Sequence, residues 1–191
     1  MHFCSRCGST VEFRVPEGDS LPRHVCPSCH SIHYQNPRIV MGCVPQWQGK
    51  LLLCRRAINP RKGFWTLPAG FLENGETLAA GAARETLEEA NAEVALLNLY
   101  TVVNVPHIHQ VHMFYLGNML NGQFSPGVES LETALFAEEE IPWDEMAFPT
   151  VVKTLRAYYE DLRRGQFNLR VMDITHPIPR PAESVPRAAG A

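Results

Sequence analysis

Two C-x-x-C pairs, Cys4-Ser-Arg-Cys7 and Cys26-Pro-Ser-Cys29, constrain this chain more than any other feature. A segment of about 35 residues cannot bury enough apolar surface to fold by itself. Something other than a core must hold it. The two pairs have the spacing of a structural zinc site. Four thiolates fill the tetrahedral shell of Zn²⁺, and metal binding then supplies the folding free energy. Gly8 follows the first pair, where a tight turn needs a positive φ. Val11, Phe13 and Val15 alternate with polar residues, which predicts a short hairpin strand. A pair of redox motifs is the alternative, and the doubled spacing favours zinc. With Cys4, Cys7, Cys26 and Cys29 as ligands, the nearby His24, His30 and His33 read as surface or interface residues.

Composition removes several function classes. Of 191 residues, 45% are hydrophobic and 19% charged, which is enough apolar material for a packed core. The net charge of −3 argues against broad nucleic-acid binding. No apolar run reaches the length of a membrane span. The opening Met1-His2-Phe3-Cys4 lacks the pattern of a secretory leader, so a cytoplasmic protein is expected. Cys43 and Cys54 sit in apolar runs and read as buried free thiols of a reducing compartment.

The remainder reads as one mixed α/β domain. Residues 1–35 are expected to form the zinc ribbon, 36–170 the main domain and 171–191 a disordered, proline-rich tail. Ile39 to Val44 and Lys50 to Arg55 flank Gly49 and predict a hairpin. Further strands are expected at Phe64 to Leu67, Val94 to Val105, His109 to Leu120 and Leu135 to Ala137. Thr77 to Ala90 predicts a helix, rich in Ala, Leu and Glu and followed by Asn91. Pro149 and Gly165 bracket a second helix with the usual Pro-start, Gly-stop asymmetry.

The first helix carries the chemistry. Glu85, Glu88 and Glu89 are related by three- and four-residue steps, so they share one face. Like charges at that spacing repel unless a cation neutralises them. A hard divalent ion with oxygen ligands does so, and Mg²⁺ typically takes few carboxylates plus substrate phosphates. Arg84 can reach back to Glu76 and orient the acids. Leu78, Ala79, Ala82, Ala83 and Leu87 are expected to pack against a sheet. A solvated acidic face is the bland alternative.

The spacing decides between them. Gly70, Glu76, Arg84, Glu85, Glu88 and Glu89 resemble the Nudix box, G-x5-E-x7-R-E-U-x-E-E-x-G-U, where U is bulky and apolar. Thr86, Asn91 and Ala92 depart from it, none at a charged position. Asn tolerates the left-handed conformation that the second Gly would adopt. The resemblance implies an α/β/α sandwich around a mixed sheet. It also implies an Mg²⁺- or Mn²⁺-dependent hydrolase, with Gly70, Glu85, Glu88 and Glu89 as metal ligands and Glu76 and Arg84 as organisers. The cysteine pairs, Gln35-Asn-Pro and Trp65-Thr-Leu-Pro-Ala-Gly together resemble the zinc-ribbon Nudix hydrolases. Pro126-Gly-Val-Glu-Ser-Leu-Glu132 and Glu160-Asp-Leu are similar to a branch that cleaves FAD and ADP-ribose, found in plant chloroplasts and bacteria. The S-Q-P-W-P-F-P-type segment of NADH pyrophosphatases is absent.

The expected substrate is therefore FAD or ADP-ribose, with NADH or NAD-capped RNA as the alternative. A nucleotide-sensing or RNA- or protein-binding module is the non-enzymatic one. A homodimer is expected, as in many relatives. The family often takes its catalytic acid from outside the box. Glu129, then Glu132, are the candidates among the seven acids of residues 129–145. Arg38, Arg55 and Arg56 could grip phosphate. Phe64, Trp65 and Phe71 could stack on a ring, although core packing is the commoner role. His107 and His109 are expected on one strand face and His112 on the other.

Overall fold

The computed structural model describes residues 1–175, which divide into two compact units, Met1–Pro37 and the residues from Arg38 onward. The first unit is a three-stranded antiparallel sheet, β1 (Glu12–Arg14), β2 (Arg23–Val25) and β3 (Ile32–His33). The expected hairpin is present. Its alternating apolar residues are not buried, however, and Phe13 and Val15 lie exposed. Cys4, Val25 and Cys26 are the buried hydrophobic residues of this unit. So small a set leaves the cysteines to hold the fold.

The second unit is built on β4 (Arg38–Trp47), β5 (Lys50–Arg56), β6 (Trp65–Thr66), β7 (Ala69–Phe71), β8 (Val94–Val105), β9 (Gln110–Met119), β10 (Ser130–Phe136) and β11 (Arg170–Asp173). The main path across the sheet is β10-β5-β4-β9-β8-β11, with β6 paired to β5 and β7 to β4. β4 runs parallel to β9, and β11 parallel to β8. The other pairs are antiparallel, so the sheet is mixed. Gln48 and Gly49 both have positive φ, as a two-residue hairpin turn requires.

Helices α1 (Leu78–Ala90) and α2 (Pro149–Arg164) cover opposite faces. Strand alternation shows this directly. Leu51 and Leu53 join Val151 and Leu155 of α2 in one cluster, whereas Leu52 and Cys54 join Ala90 of α1 in another. The Leu51–Cys54 run is apolar throughout because both its faces are buried. Among the described residues no helix is long and apolar enough to cross a membrane.

Three expectations change. The expected strand at Leu135 to Ala137 begins earlier, at Ser130, since a central partner, β5, is there to pair with. Residues 171–173, expected in the disordered tail, belong with Arg170 to β11. Arg170 is tied to Asp161 and Glu160 of α2, and buried Ile174 packs with Val103 and Val105. Residues 176–191 lie outside the described residues. Finally, His107 and His109 are not on a strand. They occupy a single helical turn between β8 and β9, where His109 takes the left-handed conformation.

Candidate active site

The turn before α1 and the helix itself are built to hold charge. Thr77 caps the start of α1, its Oγ1 accepting from the Ala80 N–H at 3.1 Å. Asn91 ends the helix at φ 46° and donates its backbone N–H to the Leu87 carbonyl at 2.8 Å. The buried side is Gly81, Ala82, Glu85, Thr86, Glu89 and Ala90. This corrects the expected packing face: Leu87 is half-exposed, and two glutamates are buried in its stead. Thr86 is tolerated there because its hydroxyl donates to the Ala82 carbonyl at 2.7 Å.

Arg84 organises the cluster. Its Nε and one terminal nitrogen fork onto the two Glu76 carboxylate oxygens at 3.0 and 2.8 Å. The other terminal nitrogen bridges Glu85 at 2.7 Å and Glu88 at 3.1 Å. Glu76 also accepts from the Glu73 N–H at 2.7 Å, and Arg84 donates to the Phe71 carbonyl at 3.1 Å. The hydrogen bonds from Arg84 hold the Glu76 carboxyl down to about 2. Burial pushes Glu85 upward, and pushes Glu89 up to about 8 despite a 3.1 Å hydrogen bond from the Ala69 N–H. Carboxylates so displaced gain most from a bound cation.

Gly70 brings the backbone close to the carboxylate cluster. A Cβ there would run into the Glu85 carboxylate, so the backbone lies directly against it. The loop that carries Glu129 is anchored to the helix end. The Ser125 and Gly127 N–H groups donate to the Ala90 and Glu89 carbonyls, and Asn91 Nδ2 donates to the Ser125 and Pro126 carbonyls. A Cβ at Gly127 would strike the Glu88 carbonyl. This tight loop delivers Glu129, exposed, close enough for its charge to raise both Glu85 and Glu89. The motif match passed over Asn91 and Gly127 as positioning residues, although a Gly one residue before Val128-Glu129 was visible.

A divalent cation fits this donor set. All of it is oxygen, two carboxylates are buried with raised pKa, and the Arg84 guanidinium is shared among three acids. The glutamate oxygens are not gathered as tightly as the cysteine sulfurs, which among the described residues form the group with all ligand atoms within 4.8 Å. Loose convergence suits a cation that keeps waters and substrate oxygens in its shell.

Other expected contacts divide. Trp65 is 6% exposed and packs edge-on against Phe136, so its ring belongs to the core and not to a stacking site. Phe71 is 45% exposed, with the Arg38 guanidinium 4.6 Å above its ring. Arg55 is occupied by the Gly63 carbonyl and Glu132, and Arg56 by the Pro60 carbonyl and the Phe148 ring. Arg61 covers Phe64.

In the first unit, Cys4 and Cys29 sulfurs lie 3.6 Å apart and those of Cys7 and Cys26 3.5 Å apart. Tetrahedral zinc–thiolate geometry requires about 3.8 Å. Hydrogen bonding with Ser31 holds Cys29 down to about 6, close to the thiolate a metal needs. His33 Nε2 lies 3.2 Å from Cys4 Sγ, an outer partner that spacing alone did not reveal.

The family follows from comparison with known proteins. Residues 36–162 match the model described as the NUDIX domain, and residues 2–35 the zinc-ribbon model described as Nudix N-terminal. The chain belongs to the Nudix family. A Nudix hydrolase of known structure from Nitrosomonas europaea is 54% identical, with a TM-score of 0.89 over 92% of this chain and 100% of that one. The NAD-capped RNA hydrolase NudC of Chromobacterium violaceum is 32% identical over 133 residues, 69% of this chain and 48% of that protein. An ADP-ribose pyrophosphatase of Methanocaldococcus jannaschii is 27% identical over 113 residues, 57% of this chain and 67% of that one. The chain thus spans about half the length of the NudC relatives.

Proposed function

We propose that this Nudix protein is a hydrolase that cleaves the pyrophosphate bond of a nucleoside diphosphate derivative. ADP-ribose would give AMP and ribose 5-phosphate; FAD would give FMN and AMP. The observation that carries this reading is the Arg84-centred cluster, in which Glu76, Glu85 and Glu88 share one guanidinium beside buried Glu89. When bound there, Mg²⁺ or Mn²⁺ would neutralise phosphate oxygens and lower the pKa of a water. Glu85, Glu88 and Glu89 would hold that ion with Gly70, and Arg84 with Glu76 would hold the acids in place. Glu129 would take the proton of the attacking water on its carboxylate. Phe71, half-exposed with the Arg38 guanidinium over its ring, would stack on the base of the nucleotide. The ribbon would take structural Zn²⁺.

ADP-ribose is favoured by the pyrophosphatase relative and by the absent S-Q-P-W-P-F-P-type segment. NADH or NAD-capped RNA is the second reading, favoured by the NudC relatives. The first unit has three arginines against three acids, too balanced to grip a phosphate chain. The expected assembly is a cytoplasmic homodimer, and sedimentation of the zinc-loaded protein tests the dimer.

The test is a product assay with Mg²⁺ or Mn²⁺, offering ADP-ribose, FAD, NADH and a short NAD-capped RNA side by side. Faster release of AMP from ADP-ribose or FAD, lost in Glu88→Gln, is the expected result. Preference for NADH or capped RNA would move the assignment to the second reading. Nucleotide binding without turnover would make the protein a sensor.

A further inference from the structure

A pocket of about 460 Å³ lies between α2 and the two short helical turns that precede it, and the chemistry above uses none of it. Glu138 and Trp143 come from those turns. Arg156, Tyr159, Glu160 and Arg163 come from α2, where steps of three, four and seven residues from Arg156 put them on one flank of the helix.

The acids of this pocket are already paired. Glu138 accepts from Arg163 at 2.6 Å, and Glu160 pairs with Arg164 at 2.7 Å and Arg170 at 2.8 Å. Arg170 also serves Asp161, so three guanidiniums offset three carboxylates. Two donors are left over. The Arg156 guanidinium lies 4.7 Å over the Trp143 ring, which orients it, and makes no ion pair among the described residues. Tyr159 is 2% exposed, and its buried hydroxyl has no hydrogen-bond partner among the described residues. A buried hydroxyl left so is costly unless something accepts its proton. Burial, then the charges of Tyr158, Glu138 and Glu139, push its pKa up, so it stays a donor near the Glu138 side of the pocket. What the pocket lacks is an acceptor with negative charge.

We propose that this pocket is a second ligand site, which takes the phosphate of a phosphomonoester, with the Arg156 guanidinium forked onto two phosphate oxygens and the Tyr159 hydroxyl donating to a third. A phosphate suits the pair better than a carboxylate, because it offers three terminal oxygens to donors that approach from different sides. The products of the proposed hydrolysis, AMP and ribose 5-phosphate, are both phosphomonoesters, so the pocket would take product on the face of the sheet opposite α1. Only that choice of source rests on the nucleotide reading above; the phosphate site does not.

The test is calorimetric titration of the zinc-loaded protein, without Mg²⁺ or Mn²⁺, by AMP, ribose 5-phosphate, inorganic phosphate and adenosine. Millimolar or tighter binding of the two esters, and none of adenosine, is expected. Arg156→Gln should raise the Kd for AMP about tenfold. Tyr159→Phe should raise it about threefold to tenfold, yet leave the melting temperature of the ligand-free protein unchanged or higher, because it removes a buried hydroxyl without a partner. A merely structural tyrosine would lose melting temperature and leave Kd alone. Inorganic phosphate bound as tightly as the esters would support the phosphate contacts and make free phosphate the source. No phosphate binding by the wild type, adenosine bound as tightly as AMP, or a Kd within twofold of wild type for Arg156→Gln or Tyr159→Phe would overturn the proposal. None of these outcomes needs turnover, so the pocket can fail while the hydrolase reading stands, and the titration still decides if the product assay fails.

Discussion

The two helices flank one sheet and bury opposite kinds of face. α2 is amphipathic in the ordinary sense. It lays Val151, Leu155, Ala157 and Tyr158 on the apolar core, begins with Pro149 and stops at left-handed Gly165. α1 buries two glutamates beside Gly81, Ala82 and Thr86, and leaves Leu87 half-exposed. A helix selected for stability would reverse Leu87 and Glu89. The contrast shows that α2 holds the domain together, whereas α1 gives up part of its packing face to keep carboxylates desolvated and displaced in pKa.

Removing a charge from α1 should therefore cost activity and spare stability. Glu88→Gln is expected to lower kcat about a thousandfold, the equivalent of about 4 kcal/mol in the barrier. Its melting temperature should stay within a few degrees of wild type, because Glu88 is exposed and its ion pair with Arg84 contributes little. Thermal melts run beside the kinetics check both halves. The converse holds on α2. Leu155→Ala empties a fully buried position and should cost about 3 kcal/mol in urea unfolding. Under folded conditions its KM and kcat should remain near those of wild type.

Sequence made α1 legible at single-residue resolution because the proposed metal site would fix spacing. Gly70, Glu76, Arg84, Glu85, Glu88 and Glu89 had to fall at set intervals, and no packing argument was needed to find them. What the helix buries was misjudged for the same reason. Hydropathy assigns Leu87 inward and Glu89 outward, and a functional site inverts that rule. Strands β4, β5, β8 and β9 were visible as apolar runs. β7, three residues with two small ones, and β11, four residues behind a polar turn, gave too little signal to separate from loop. Trp65 reads in sequence as a stacking ring or, more commonly, as core packing, and its place in the sheet makes it core.

His112, beneath the first turn of α2, is held near 4 by burial, against an ordinary value of 6.5. A base with a depressed folded pKa resists protonation only when folded. Its contribution is present in full above about pH 6.5 and is lost as pH falls toward 4. Between pH 7 and pH 5 the wild type should lose about 2 kcal/mol more than His112→Gln does. Paired urea titrations give the difference directly, and parallel curves would remove His112 as its source.

The smallest expected effect lies at the end of α1. Asn91→Ala places a Cβ-bearing residue without a capping amide at φ 46° and drops the side-chain bonds to the Ser125 and Pro126 carbonyls. A loss of about 1 kcal/mol is expected. Asn91→Gly should restore the backbone but not the loop, so its kcat should stay low even where its stability recovers. Equal recovery of both would mean that the loop carrying Glu129 needs no anchor.

The central claim is that the buried acidic face of α1 is a divalent-cation site. The most direct measurement is Mn²⁺ binding by electron paramagnetic resonance to zinc-loaded protein, wild type against Glu85→Gln. The account predicts at least one bound Mn²⁺ in the wild type, displaced by Mg²⁺ and weakened about tenfold or more by the substitution. Mn²⁺ binding that is absent, or that Glu85→Gln leaves unchanged, would contradict it.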